Sequence, residues 1–376
     1  MSKIHITLVG GQPIPAYLGI MEDEECEKVL LIHSSSSLKE AQTIQKYCGK
    51  KCSFIEYAPT DIEAIKKATD EIRKETDDDE VTLNVTSGTK PWSLIFYQNF
   101  SNHPSVRIIY IDQLNRWYNL KSGEIKQLCI DVFKRFELYG NPLKRYRTLD
   151  YFSETDYKAI GYIEIVRNKH IGAFTDLTNR DKEEYDKEEG EITSKNGSIM
   201  RWNWNEGWVN FEMMNYSGFP SKPIHIELDH AKEVVLNTAW FELKTALELQ
   251  KNPNVKDIYI GCEFLLKDEK AKNEIDVIAD FGSRLVFIEC KTMISEITAI
   301  DKFRSAMRNF SGTSSTGVFV TNDRVSKGTR YERYIATMEK CKDNDIITFN
   351  FGLWNKKEDS SLNSIINEAI TKINKR

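Results

Sequence analysis

Glu289-Cys290-Lys291 closes an apolar run, Leu285-Val286-Phe287-Ile288, and a second apolar run at 275–279 carries Asp276 within it. Both runs read as β-strands, and the short connection Phe281-Gly282-Ser283 predicts an antiparallel pair. Side chains two apart share a face of a strand, so Glu289 and Lys291 point the same way, beside the strand of Asp276. Charged groups amid such apolar neighbours are conspicuous, because Asp, Glu and Lys are rarely buried without a partner. Two carboxylates and an amine together suit phosphodiester hydrolysis, which needs oxygen ligands for Mg²⁺ or Mn²⁺ and charge to stabilise the transition state. Asp276 and Glu289 are the candidate metal ligands, with the backbone carbonyl of Cys290 as a further one. Lys291 is the candidate to position or deprotonate the attacking water, or to stabilise developing charge. An ordinary salt bridge is the competing reading.

The flanking elements decide how much weight that triplet carries. Residues 229–250 predict a helix with Asp229 as N-cap and Val235, Ala239, Ala246 and Leu249 on one stripe. Glu242 falls in the same stripe, where a carboxylate costs several kcal/mol unless it is paired or binds a cation. It is therefore the fourth candidate catalytic residue and a supporting metal ligand, with a structural ion pair as the alternative. A strand at 258–264 precedes the pair, a helix at 299–310 follows it, and a loop, Ser311-Gly312-Thr313-Ser314-Ser315, leads to a strand at 317–321 that extends the sheet. Tyr331, Tyr334, Ile335 and Met338 in helical register read as structural. The order helix, three strands, helix, with Asp276, Glu289 and Lys291 at the motif positions, resembles the PD-(D/E)xK nuclease fold. Ile275 stands where the family usually has proline, a position that touches no ligand. The resemblance implies a metal-dependent endonuclease.

The first half alternates differently. β-rich runs at 3–11, 28–35, 53–59, 81–88 and 106–112 are separated by helical patterns at 38–49, 61–76 and 90–102, the second carrying Ile62, Ile65, Ala68 and Ile72. Such alternation predicts a parallel, Rossmann-like sheet. With strand order 3-2-1-4-5, the crevice beyond strands one and four is the binding site. Gly10, Gly11 and Gln12 follow the first, and Thr86, Ser87, Gly88, Thr89 and Lys90 follow the fourth, opening a helix. Backbone N–H groups, a helix dipole and the Lys90 charge favour phosphate, with Ser34 and Ser35 contributing from the side. Glycine turns of purely structural purpose are the alternative. A dinucleotide site is disfavoured by the absence of GxGxxG, and the spacing is not that of a Walker A loop.

The run Asn84-Val85-Thr86-Ser87-Gly88-Thr89-Lys90 resembles the Asn-x-Thr-Gly-Gly-Thr-Lys signature of CARF domains, the sensor modules of type III CRISPR systems, with Ser87 in place of a glycine. The resemblance implies a homodimer that binds a cyclic oligoadenylate across its two-fold axis, cyclic tetra-adenylate first among the candidates. Both halves together resemble the CARF-nuclease proteins of antiviral type III CRISPR defence, in which the ring switches on cleavage of DNA or RNA. A ligand-sensing, nucleic-acid-binding regulator without cleavage is the rival reading.

The fold class expected is α/β, a Rossmann-like CARF domain at 1–150 and a restriction-endonuclease-like α/β domain at 226–376. Between them, 151–225 is a connecting region of weaker periodicity. It holds an acidic run at 181–191, expected as a solvated loop or exposed helix, and aromatic–polar alternation around Asn205-Glu206-Gly207, which predicts a hairpin. Trp202, Trp204 and Trp208 of that hairpin read as core or contact residues ahead of base-stacking ones.

A chain of 376 residues, 40% hydrophobic and 29% charged, fits two globular domains. No apolar run is long enough to span a bilayer, and the N-terminus lacks an apolar leader, so a cytoplasmic location is expected. Seven scattered cysteines without a CxxC pair are expected to be reduced thiols. A net charge of −5 argues against non-specific coating of nucleic acid and leaves local basic patches open.

Overall fold

The structure is a computed structural model that describes residues 1–374 apart from 216, 266–270, 283, 295, 312–314, 326 and 355–358. Contacts divide the chain into two compact units. The first is Met1–Leu143 with Gly282–Leu285 and Met307–Ser315, and the second is Lys144–Phe281, Val286–Ala306 and Thr316–Arg376.

The first unit opens with β1 (Lys3–Leu8), α1 (Pro13–Glu22), β2 (Lys28–His33), α2 (Leu38–Cys48), β3 (Lys51–Glu56), α3 (Ile62–Glu75), β4 (Glu80–Asn84), α4 (Lys90–Phe100) and β5 (Val106–Ile111). Then come β6 (Arg116–Asn119), β7 (Ile125–Gln127) and α5 (Val132–Leu138). The sheet order is β3-β2-β1-β4-β5-β6-β7, so the expected 3-2-1-4-5 arrangement is present. The first five strands pair in parallel and the last two turn back antiparallel. Both faces are covered, as a parallel sheet requires. Along β2, Val29 and Leu31 enter a core with α1, α2 and α5, while Leu30 and Ile32 enter another with α3 and α4. Residues 13–15, read from sequence as loop, begin α1. Its prolines are tolerated because first-turn N–H groups have no helical acceptor.

The second unit carries β8 (Leu143–Arg147), α6 (Glu154–Lys169), α7 (Ile171–Thr178) and the antiparallel strands β9 (Glu189–Thr193), β10 (Ile199–Asn203), β11 (Trp208–Glu212) and β12 (Ile224–Glu227). The predicted hairpin is β10–β11. Trp202 is buried and donates its indole N–H to Lys187 O at 3.1 Å, which makes it a core residue. The acidic run is neither a plain loop nor an exposed helix. A single helical turn, Lys182–Tyr185, buries Tyr185, whose hydroxyl donates to Leu177 O, and β9 follows. Residues throughout 152–228 share one hydrophobic core with the elements that follow.

Those elements are α8 (Ala231–Val235), α9 (Ala239–Gln250), β13 (Asp257–Leu265), β14 (Ala271–Asp280), β15 (Leu285–Lys291), α10 (Ala299–Ser311), β16 (Ser315–Thr321), α11 (Thr329–Asp343), β17 (Ile347–Asn350) and α12 (Leu362–Asn374). The sheet order is β17-β16-β15-β14-β13-β8. The helix expected at 229–250 is broken. Asn237 and Thr238 adopt positive φ angles of 52° and 67°, a left-handed conformation that is costly for residues with a Cβ, and α9 starts anew behind them. Asp229 does not cap α8, which has His230 at its N-cap. Ser283 of the predicted turn and residues 312–314 of the predicted loop lie outside the described residues. No helix among the described residues is long and apolar enough to cross a membrane.

Candidate active site

Alternation along the strands sorts the second unit's core from its charges. Val277, Ala279, Val286, Ile288 and Cys290 join the core that α9 also enters, and Asp276, Glu289 and Lys291 occupy the intervening positions. Neighbouring strands joined by a short connection must run antiparallel, so β14 and β15 bring the three together. Lys291 Nζ lies 2.6 Å from Glu289 Oε1 and 3.6 Å from Asp276 Oδ2. The Cys290 N–H donates to Asp276 Oδ2 at 2.6 Å, locking that carboxylate to the strand of its partners. Both carboxylate side chains are 14% exposed and Lys291 is 35% exposed, so the cluster is recessed but open on one side.

The cluster carries more acid than one ion pair needs. Burial, then the Asp276 charge, pushes the Glu289 carboxyl up to about 7 against the Lys291 ammonium beside it. Glu242, carried to the cluster by α9 packing on β13 and β14, is raised well above the usual carboxylate range by burial and by Asp276 and Glu274. Lys291 is raised in turn, because its carboxylate neighbours outweigh its own desolvation. Alternation also adds Glu274, two residues before Asp276, which sequence reading left unassigned although the period-two signal was there. It is exposed at the rim and is raised by partial desolvation, then by Asp276 and Glu263. Two carboxylates thus contact one ammonium, and two further carboxyls, Glu242 and Glu274, are repelled by the same Asp276.

A buried polar network holds the end of β15. Asn322, directly after β16, donates its N–H to Lys291 O at 3.3 Å. Arg167, 2% exposed near the end of α6, donates to Thr292 O, to Asn322 O at 3.2 Å and to Asn168 Oδ1 at 3.0 Å. Glu164, one turn earlier, accepts from Asn322 Nδ2 at 3.3 Å and from Lys244 Nζ at 2.6 Å, and Lys244 follows Glu242 on α9. Sequence reading missed Arg167, since its partners lie far along the chain.

In the first unit, Gly10, Gly11, Gln12, Thr86, Ser87 and Gly88 line one cavity of about 280 Å³. Asn84, 1% exposed, ties its two loops together: Nδ2 donates to Pro15 O at 3.1 Å, and Oδ1 accepts from Thr86 N and Oγ1 at 3.1 and 2.6 Å. Gly88 has a φ of 83°, and a Cβ on Gly10 would stand 2.9 Å from Gly88 N, so the loops meet where side chains do not fit. Ser34, Ser35, Thr89 and Lys90 are not part of this lining. Ser34 bonds within its own serine turn, and Thr89 accepts from Trp92 N and donates to Pro59 O at 2.7 Å, so both are used in shaping the loops. Lys90 is exposed at the start of α4 and Ser35 is exposed. Tyr110 at the end of β5, and Asp112 and Gln113 just beyond it, which sequence reading did not select, also line the cavity. Burial would raise Asp112, but hydrogen bonds from Arg116 and from the Leu114 N–H hold it below the ordinary carboxylate range.

Residues 4–133 match the Card1 CARF domain family, and residues 229–339 match the Card1-like endonuclease domain family. The chain belongs to the CARF-nuclease proteins. Among solved structures, this CARF-nuclease resembles Can2 from Sulfobacillus thermosulfidooxidans, determined with cyclic tetra-adenylate, at TM-score 0.63 and 19% identity, covering 98% of each chain. It resembles VC1899 from Vibrio cholerae at TM-score 0.62 and 13% identity, over 99% of this chain and 97% of that one. A type III CRISPR defence DNA nuclease activated by cyclic oligoadenylate aligns at TM-score 0.54 and 12% identity, over 99% of this chain and 52% of that one. At these identities the likeness is one of fold. A curated relative, the CRISPR system endoribonuclease Csm6 of Thermus thermophilus, is 27% identical over 115 residues, 29% of this chain and 24% of that protein. The match therefore spans less than two thirds of that relative.

The CARF-nuclease's carboxyl cluster suits a divalent cation. Among the described residues no three Asp, Glu, His or Cys side chains form a ready-made cage. Mg²⁺ does not demand one, since it keeps several waters and takes one or two carboxylates. Glu242 and Glu289 are raised by burial first and by Asp276 second, and a dication would favour their ionised forms.

Proposed function

We propose that this CARF-nuclease is an endonuclease that hydrolyses phosphodiester bonds of DNA or RNA with Mg²⁺ or Mn²⁺. Its activator is a cyclic oligoadenylate, cyclic tetra-adenylate first, bound between the CARF domains of a homodimer. The observation that carries the nuclease reading is the contact of both Asp276 and Glu289 with Lys291, with Glu242 repelled by the same Asp276, because a merely structural ion pair would balance its charges. A bound Mg²⁺ or Mn²⁺ would supply Lewis acidity at the scissile phosphate. Asp276 and Glu289 would hold it, with the Cys290 carbonyl alongside and Glu242 in support. Lys291 would orient the attacking water and stabilise charge on the phosphate. In the CARF domain, the backbone of Gly10 and Gly11 and of Ser87 and Gly88 would offer N–H groups to phosphate, with Gln12 and Thr86 lining the same cavity, Lys90 adding charge at the rim and Ser34, Ser35 and Thr89 shaping the loops.

The test is to incubate the protein with cyclic tetra- or hexa-adenylate, Mn²⁺ or Mg²⁺, and mixed RNA, single-stranded DNA and plasmid. Cleavage that needs both the ring and the cation is expected, lost in Glu289→Ala and Lys291→Ala while both variants still bind the ring. Metal-dependent cutting by both variants would overturn the site. Nucleic acids left whole throughout, yet bound, would make the protein a regulator. Sedimentation of the protein with and without the ring tests the homodimer.

A further inference from the structure

Two thiols outside both sites stand in contact. Cys48 ends α2 and Cys52 lies on β3, the edge strand, with Gly49 between them at a φ of 65° that reverses the chain. Their Sγ atoms are 3.6 Å apart. Cys48 is 5% exposed, whereas Cys52 is half-buried, so the pair sits beneath the surface with one member reaching solvent.

We propose that Cys48 and Cys52 are a modification site, a dithiol that hydrogen peroxide converts to an intramolecular disulfide. The Cys48 thiolate attacks one peroxide oxygen, breaking the O–O bond and leaving a sulfenic acid and hydroxide. The Cys52 thiol then attacks the Cys48 sulfur and expels the sulfenic oxygen as water, its proton going with it. Two thiols and one peroxide give one disulfide and two waters. Closing 3.6 Å to a bond length of about 2 Å needs a sulfur displacement of about 1.6 Å, within the reach of side-chain rotation about the Gly49 turn.

The roles are unequal. The Cys52 thiol hydrogen-bonds to Cys48 and draws it down to about 6, against burial, with Lys50 adding positive charge. Lys50 is held there by bonds to Asp23 O, Glu24 O and Cys26 O at 2.6, 3.0 and 3.3 Å. Cys52 is raised by the same contact, so it keeps its proton until it resolves the intermediate. Burial pushes Cys26, Cys262, Cys290 and Cys341 up, which leaves them unreactive thiols. The closed loop is short, so the bond constrains the unfolded chain little and is a reversible one rather than a structural staple.

Peptide mapping of the full-length protein tests this, since Lys50 and Lys51 lie between the cysteines and trypsin leaves them on separate peptides unless the bond exists. In a Cys129→Ser background, which removes the exposed thiol, six of the seven cysteines remain to react with Ellman's reagent in denaturant. Peroxide treatment is expected to lower that number by two, join the Cys48 and Cys52 peptides, and be reversed by dithiothreitol. In Cys52→Ser, dimedone is expected to label Cys48, and in Cys48→Ser Cys52 stays unlabelled. Both peptides alkylated as thiols after peroxide would overturn the proposal in the Cys129→Ser protein itself, whatever the further variants do. Labelling of Cys52 in Cys48→Ser would overturn the assignment of roles.

Discussion

Glu289→Gln is expected to stabilise the metal-free protein at alkaline pH while removing its function. Gln has the shape of a protonated Glu, so the variant removes the charge and keeps the packing. The Glu289 carboxyl stands at about 7 against an ordinary value of 4.5, and its side chain is 14% exposed, so little solvent discount applies. A carboxyl raised on folding favours the native state while protonated, and this advantage is lost as pH rises from the unfolded value through the folded one. Titrating the two values against pH gives a loss of about 1 kcal/mol by pH 5 and about 3 kcal/mol by pH 8.5. The wild-type protein alone carries that loss. The stability difference, variant minus wild type, should therefore grow by about 2 kcal/mol between pH 5 and pH 8.5. Urea unfolding in EDTA, followed at both pH values, measures it. A difference that is flat with pH, or that shrinks toward alkali, would refute the argument that burial and Asp276 together raise the Glu289 carboxyl. Mn²⁺ titrated into the wild type at pH 8.5 should recover stability, and the variant should respond less.

Arg167→Met leaves the buried Asn322 O and the part-buried Thr292 O without this donor, and should cost about 3 kcal/mol in urea unfolding, with cleavage lost faster than fold as temperature rises. A variant as stable and as active as wild type would remove Arg167 from the support of Lys291. Asn84→Ala unties Thr86 from Pro15 and should weaken cyclic tetra-adenylate binding about tenfold or more by calorimetry, and an unchanged dissociation constant would show that the cavity does not need this tie. Asp156→Asn should cost about 2 kcal/mol at pH 7, because a His230 side-chain bond and backbone N–H groups hold this buried carboxyl below its ordinary value against desolvation. Stability from a depressed carboxyl is present above the unfolded value and lost as pH falls through the folded one. The gap to wild type should thus close below about pH 4, and a constant gap in acid unfolding would contradict it.

Local periodicity carried the site a long way. A period of two put Asp276, Glu289 and Lys291 at matching positions of adjacent strands, and the same period held Glu274, unread because an acidic residue at a strand end is unremarkable by itself. The helical stripe that flagged Glu242 survived, although the helix around it did not, since α9 starts after two left-handed residues that no cap or breaker announces. Alternating strand and helix runs were enough for the sheet order of the first unit, because short crossovers leave few ways to wind a parallel sheet. Tertiary structure decided what depends on distant partners. Arg167 reads in sequence as one more cation in a helix, and its meaning comes from carbonyls at Thr292 and Asn322, more than a hundred residues on. Thr89 and Ser34 look in sequence like ligand contacts, and in the structure their hydroxyls bond within the loops, because a hydroxyl's use is set by the partner within reach. Asp112 and Tyr110 reach the cavity only because β5 lies beside β4. Residue type and spacing pointed to the chemistry, and long-range packing chose which polar groups are held buried and which line the cavity.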